Sequence, residues 1–192
     1  MMMRVFVALF FALGCDAFVP GPTAPKRQVS LRAKEPVSGP GVAPARNVVG
    51  GELECCCADV RGTGIGTGFF RDGHCSTGPS DEGIHTVCVL ATEEFLRFST
   101  YAGNPLSEAF PEYMFPGLKP GDKWCLCAKR WEEARTAGFA PQVYLRATHE
   151  KTLEIVSLEE LMTYALDLEE VKQDRERVDE MREKMMRTAG LS

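Results

Sequence analysis

Cys125 and Cys127 are separated by a single residue, and a strand at that point would send both sulfurs to one face. Two thiolates so placed could bind zinc or iron, or act as a nucleophile and its redox partner. The plainer alternative is two small residues packed against a helix. His149 continues the parity of Val143, Leu145 and Ala147, so it should face inward as a ligand, a general base or a hydrogen-bonded core residue. A third group is Arg71-Asp72-Gly73-His74-Cys75 with His85 and Cys88, in which Asp72-Gly73 reads as a tight turn presenting Arg71 and Cys75 together. If residues 85–88 are strand, His85 and Cys88 face opposite sides; His85 is then the functional candidate and Cys88, in an apolar run, a core residue. The candidate catalytic set is Cys125, Cys127, His149, His85, Arg71 and Asp72, with a cysteine as nucleophile, His149 or His85 as base and Arg71 as anion anchor. The candidate metal ligands are Cys56, Cys57, Cys75, Cys125, Cys127 and His149; the cofactor is otherwise unassigned, zinc and iron being the ions these groups suit.

The elements that must position these side chains follow from periodicity and punctuation. Residues 85–91 form a β-rich run, followed by Thr92 as N-cap, Glu93 and Glu94 in a first turn, and Phe95, Leu96 and Phe98 on an apolar side up to Gly103. Lys119-Pro120-Gly121-Asp122 is a type II turn, and Phe115-Pro116-Gly117-Leu118 a candidate second one. Residues 124–128 read as a strand, 129–137 as a helix stopped by Gly138 and Pro141, and 142–148 as a third strand with strong alternation. Strand, helix and strand in that order would most readily lie parallel and adjacent, bringing Cys127 and His149 together, although the crossover is short and an antiparallel neighbour is the alternative. Ser157 and Glu160 make a capping box before Leu158, Leu161, Met162, Ala165 and Leu168, and the helix then continues as a charged, exposed tail. The glycines at 62, 64, 66 and 68 lack the dinucleotide-binding pattern, because Thr67 stands where its last Gly would be; they read as a flexible loop. The expected fold is α+β, with a small sheet of three or more strands, three helices and a helical tail.

Several strings carry a resemblance: Asn47-Val48 through Leu53, Thr67-Gly68-Phe69-Phe70-Arg71-Asp72-Gly73-His74-Cys75, His85-Thr86-Val87-Cys88, Phe115-Pro116-Gly117-Leu118-Lys119-Pro120-Gly121-Asp122-Lys123-Trp124-Cys125-Leu126-Cys127, Arg130-Trp131 and Ala147-Thr148-His149. Together they resemble an uncharacterised, mainly bacterial family, the domain-of-unknown-function family 2237, from about residue 47 to 167. The resemblance implies a domain and promises no activity. Residues 61–66 look like an insertion in a shorter family loop, Cys55 sits where a non-cysteine is usual, Phe70 replaces a Tyr and Pro105 an acidic residue. Cys55 is therefore left out of any inherited site.

Outside the domain lies a leader. After Arg4, an apolar run from Val5 to Gly14 has the length of a secretory h-region and is too short to span a bilayer. Cys15 and Ala17 would precede a cut before Phe18, and the next segment, to Ala45, has four basic residues, one acidic residue and frequent Pro, Gly, Ser and Thr. Phe18 at the junction resembles the signal-plus-transit leader of algae with complex plastids, which implies a plastid destination, with secretion as the alternative. The expected divisions are residues 1–17, signal; 18–45, transit segment or linker; 46–167, cysteine-rich domain; and 168–192, helical extension.

The chain holds 22 basic and 27 acidic residues, a net −5. Five basic and two acidic residues precede position 46, leaving 17 and 25 beyond it, a net −8. A domain this acidic, without a Lys/Arg stripe, argues against nucleic acid or an anionic membrane as partner, and nothing after Gly14 is apolar enough to span a membrane. Of eight cysteines, Cys15 would leave with the signal; the odd seven that remain argue against a fully oxidised scaffold and for metal ligation, reactive thiols or buried thiols. The sequence thus points to a thiol- or metal-dependent activity on a small molecule. The alternative is a non-catalytic module, holding a structural metal or buried cysteine cluster and binding a ligand or protein partner.

Overall fold

A computed structural model describes residues 45–56, 62–63, 66–113 and 115–189. Its regular elements are β1 (Val87–Leu90), α1 (Glu93–Tyr101), β2 (Lys123–Leu126), α2 (Ala128–Thr136), β3 (Gln142–Val143), α3 (Leu158–Thr163) and α4 (Leu168–Thr188), with short 3₁₀ turns between them. The architecture is α+β: a three-stranded antiparallel sheet in the order β2-β1-β3, with helices and a charged C-terminal helix. β1, the β-branched Val-Cys-Val-Leu run, takes the central place, where it pairs on both edges. Val87 faces Leu126, Cys88 faces Cys125 and Val89 faces Trp124, while Val89 and Leu90 also pair with Val143 and Gln142.

Side chains alternate across the pleat, so this register sorts the sheet into two unlike faces. Val87, Val89, Trp124, Leu126 and Val143 belong to the main apolar core, together with Phe95 and Leu96 of α1 and Trp131 of α2. Fully burying each such side chain contributes about 1.5–3 kcal/mol. Trp131 is wholly buried, and its indole N–H donates to the Pro141 carbonyl at 3.0 Å. On the other parity lie Cys88 and Cys125, which with Cys56, Cys75 and Ala147 form a separate buried cluster.

Local signals fix the ends of the elements. The Thr92 hydroxyl accepts from the Phe95 amide at 3.1 Å, capping α1. The turn into β2 closes through Asp122 N–H to Lys119 C=O at 3.0 Å, with Gly121 at φ 92°, the left-handed position that type II requires. The capping box of α3 is present in both directions between Ser157 and Glu160.

Three sequence expectations are corrected. The third strand stops after Val143, because the Asp167 carboxylate takes the amides of Leu145 (2.8 Å) and Arg146 (3.0 Å) and bends Leu145–Ala147 into a 3₁₀ turn. The Thr148 hydroxyl then accepts from the Cys88 amide at 3.1 Å, standing in for a ladder partner. The 142–148 alternation survives only as burial, with Val143, Leu145 and Ala147 inside. The final helix is two helices, because Tyr164–Leu166 pairs with the outer edge of β3: Val143 N–H donates to Tyr164 and Leu166 N–H to Val143. And β2 and β3, though parallel to each other, are not adjacent; β1 lies between them.

Residues 45–86 hold no helix or strand longer than an isolated bridge among those described. Buried Asn47 knits the start of this segment, accepting from the Val49 and Gly51 amides and donating to the Glu52 and Arg146 carbonyls. Of the glycine loop expected to be flexible, residues 66–68 are tight, Gly62 is exposed with open space around it, and Gly64 lies outside the described residues. Gly68 (φ 87°) is buried, and a Cβ there would fall 2.0 Å from the His74 carbonyl oxygen where the loop crosses itself.

Candidate functional site

Cys88 and Cys125 face each other on neighbouring strands and carry the cysteine face. The irregular segment reaches them from above. Cys56 is bonded to Cys88 and Cys75 to Cys125, with Cα–Cα separations of 5.6 and 5.2 Å. The four are 0–3% exposed. The sulfurs of Cys56, Cys75 and Cys125 all lie within 4.8 Å of one another, so the two disulfides are packed together. Cys127 is disulfide-bonded too, and among the described residues Cys55, which is exposed, keeps its thiol and donates it to the Gly73 carbonyl at 3.3 Å.

These bonds change the roles expected of the cysteines. The sulfurs of Cys56, Cys75, Cys125 and Cys127 are held in disulfides, while those of Cys56, Cys75 and Cys125 still cluster as closely as the ligands of one metal ion would. Cys88 is buried as expected but bonded, not merely packed. Cys57 lies outside the described residues. The odd cysteine count excluded less than it suggested: one exposed thiol coexists with an oxidised interior. Nor do the sulfurs of the C-x-C pair share a destination. Cys125 sits in β2 and joins the cluster, whereas Cys127 lies beyond the strand, at the N-cap of α2, with its sulfur 2.6 Å from the Gly83 carbonyl oxygen.

His149 is placed elsewhere. Its main-chain N–H donates to Thr86 on the β3 side of β1, while Cys127 follows β2 on the opposite side. Two strand spacings, about 9–10 Å, separate those edges. Half-buried His149 accepts the Lys151 amide at Nδ1 (3.0 Å) and so caps a 3₁₀ turn. Burial pushes its pKa below the usual histidine value, which favours the neutral ring that this cap uses. Ala147, two residues earlier, packs in the cysteine cluster.

The Asp72-Gly73 turn is present, but it separates the residues expected to meet. The Asp72 carboxylate accepts from the His74 amide at 2.9 Å, making it a turn residue. Arg71 is exposed, its guanidinium 5.2 Å above the Trp124 ring, whereas Cys75 is fully buried.

His85 acquires a partner that the sequence reading missed. Asp81 Oδ1 lies 2.6 Å from His85 Nδ1, while Asp81 Oδ2 accepts from the His85 amide (2.9 Å) and the Thr77 hydroxyl (3.0 Å). The Asp81 side chain is wholly buried and the His85 side chain 39% exposed. Burial alone would raise the Asp81 pKa, but the hydrogen bonds from the His85 ring and amide outweigh it and hold the carboxyl below its usual range. An ionised carboxylate only accepts, so Nδ1 carries a proton and Nε2 faces away from Asp81. Gly83 makes room: a Cβ there would meet His85 Cε1 at 2.4 Å. The readable signal was Asp81-x-x-x-His85 with a glycine between, in a segment without helical periodicity. This dyad can transfer a proton at Nε2.

On the cysteine side of the sheet there is also a groove of about 180 Å³, lined among others by Cys55, Lys123, Tyr144 and Arg146. Lys123 Nζ lies 4.1 Å above the Tyr144 ring, which packs on the cysteine cluster. Arg146 is bridged to Glu54 at 2.5 Å and Asp174 at 3.4 Å, so its charge is largely spent within the fold.

The chain matches, over residues 46–165, the family model described as "Uncharacterized protein conserved in bacteria (DUF2237)". That match covers more than half of the 192 residues, and the chain belongs to this family. No curated protein matches it. Among the described residues no helix is long and apolar enough to cross a membrane.

Proposed function

We propose that this domain is a non-catalytic binding module whose disulfides hold an irregular recognition segment on a small sheet, its ligand a small molecule or a protein partner. The observation that carries this reading is the burial and pairing of the C-x-C sulfurs: Cys125 is bonded to Cys75 at 1% exposure, and Cys127 is bonded at 5% exposure. A nucleophilic thiol needs an accessible thiolate, and neither offers one. The 180 Å³ groove beside Tyr144 and Lys123 is smaller than the roughly 300–1,000 Å³ of sites that enclose whole ligands, and suits one side chain or a small polar group. A thiol-dependent activity would first require reduction of these bonds.

Alkylation of the full-length, unreduced native protein, followed by peptide mass mapping, tests the reading. Cys55 should be modified, with Cys56, Cys75, Cys88, Cys125 and Cys127 blocked until the protein is reduced and unfolded. Rapid native modification of Cys125 or Cys127 would overturn it in favour of a thiol enzyme.

A second reading rests on the Asp81–His85 pair, a buried carboxylate orienting a half-exposed imidazole beside the Phe69 ring, 6.3 Å away between centroids. In that reading His85 is a general base acting on a small molecule and no cysteine takes part. Ring shifts of His85 that move on addition of a candidate ligand, and fail to move in Asp81→Asn, would favour it over the module.

The leader reading is part of the same proposal: residues 1–45 direct the domain through the secretory route to a plastid. Residues 1–44 lie outside the described part of the chain. Fused to a fluorescent protein in an alga with complex plastids, this segment should deliver it to the plastid; accumulation in the medium or cytosol rejects that destination.

A further inference from the structure

The cysteine face has a property that stapling does not need: three of its sulfurs converge, and the fourth is bonded to one of those three. Cys56, Cys75 and Cys125 place their Sγ atoms within 4.8 Å of one another, and Cys88 Sγ is bonded to that of Cys56. In a tetrahedral tetrathiolate zinc centre the sulfurs stand about 3.8 Å apart, as Zn–S bonds near 2.3 Å dictate. We propose that, on reduction, Cys56, Cys75, Cys88 and Cys125 become the four ligands of a soft divalent cation of the zinc class, so that this cluster alternates between two disulfides and one closed metal centre.

The framework suits both states. Cys88 and Cys125 are held opposite each other by the β1–β2 ladder, giving two fixed ligands. Cys56 and Cys75 sit on chain without regular structure, which can shift by the ångström or so needed to open two bonded pairs into a tetrahedron. All four are at most 3% exposed, so a bound ion has no position open to water and would be structural, not hydrolytic. Ala147 and Tyr144 pack on the cysteines, and in such apolar surroundings a bound metal is favoured over four buried ionised sulfurs. The centre's residual negative charge meets Lys123, two residues before Cys125 on the same face, whose ammonium lies over Tyr144 against the cluster. His149, Cys127 and Cys55 have no part in this set.

The chemistry balances with a dithiol as reductant. Each protein disulfide takes two electrons and two protons from one dithiol, which closes to its own disulfide; the four resulting thiols release four protons as four S–Zn bonds form. Oxidation runs the other way, expelling the ion as two S–S bonds close. The proposal extends the module reading, since it gives the recognition segment two differently clasped states.

Full-length protein reduced anaerobically by a phosphine, loaded with zinc chloride or cobalt chloride and desalted, tests it. One zinc per chain should be retained, with four thiols lost from titration and peptide mapping assigning them to Cys56, Cys75, Cys88 and Cys125. Cobalt should give the sulfur-to-metal charge-transfer band of a tetrahedral thiolate site. Oxidised glutathione should expel the ion, and Cys88→Ser should weaken zinc binding by more than the roughly 10–100-fold cost of losing an outer-shell partner. Cys55→Ser should bind as the unsubstituted protein does. If reduction alone unfolds the chain, zinc must restore its near-ultraviolet circular dichroism. Protein that keeps no zinc, that does not refold with zinc, or that protects a different set of thiols overturns the proposal. Alkylation of the oxidised protein reads the module proposal separately, because no metal enters that experiment.

Discussion

The two faces of the sheet are held by different physics. On one, Val87, Val89, Trp124, Leu126 and Val143 meet Phe95, Leu96 and Trp131, and apolar area excluded from water does the holding. On the other, Cys88 and Cys125 receive an irregular segment, and two covalent bonds fix it there. A helix carries its own hydrogen bonds wherever it packs; a long irregular segment does not, and disulfides lower its cost by restricting the unfolded chain. The cysteine face is thus fixed by covalent bonds and the helical face by buried area, and the module reading proposed above puts recognition on the former.

The largest expected effects separate these two mechanisms. Removing one staple, as in Cys75→Ala/Cys125→Ala, opens a loop of 50 residues and should cost about 4 kcal/mol by loop-closure entropy. Leu126→Ala, next along β2 but on the apolar face, should cost about 3 kcal/mol as a cavity. Denaturant unfolding with and without reductant sharpens the contrast. Reductant should destabilise Leu126→Ala as much as the unsubstituted protein, and the double cysteine variant by markedly less. Equal sensitivity in all three would mean that the staples contribute nothing beyond packing.

This division also explains what was legible in the sequence. Thr92 before Glu93-Glu94, Ser157 with Glu160, and Lys119-Pro120-Gly121-Asp122 each act within four residues, and each formed as read. The β-rich run at 85–91 and the strand read at 124–128 were equally visible. What failed was long range: partners 32 and 50 residues apart leave no periodic trace, and an odd cysteine total does not say which one stays reduced. Residues 142–148 alternate as a strand does, yet Asp167, over 20 residues away, takes two of their amides. The candidate site was partly legible: Cys56, Cys75 and Cys125 stood among the candidate ligands and their sulfurs cluster, Cys88 was assigned to packing, and Asp81, whose carboxylate orients His85, was passed over.

A smaller effect should isolate Asp81. Its folded pKa is depressed, so its contribution is fully present above the ordinary carboxylate value of about 3.9 and is lost as pH falls through the lower folded value. Asp81→Asn should lower stability by about 1–3 kcal/mol near neutrality, as for an impaired buried hydrogen-bond set. The difference from the unsubstituted protein should shrink on acidification below pH ~4. A difference that stays constant down to pH ~2 would show that the carboxylate charge is immaterial and that only the shape of the Asp81 turn matters.

The smallest effect belongs to α4. No residue of this 21-residue helix is buried, and its ion pairs, such as Lys172–Glu169 and Arg187–Glu183, lie within the helix on its exposed surface, where such pairs contribute a few tenths of a kcal/mol. Its attachment is confined to the first turns, where Leu168 and Val171 touch the core and Asp174 reaches Arg146 at 3.4 Å. The family match ends at residue 165, before the helix begins. Deleting residues 169–192 keeps Asp167, and with it the two hydrogen bonds that shape Leu145–Ala147, so the cysteine face should stay intact. The cost should be about 1 kcal/mol, as for loss of a few surface contacts. Thermal unfolding should remain cooperative, with its midpoint lowered by a few degrees. A fall of tens of degrees would mean that α4 clamps the 3₁₀ turn over the disulfides, tying the cysteine face to the helices after all.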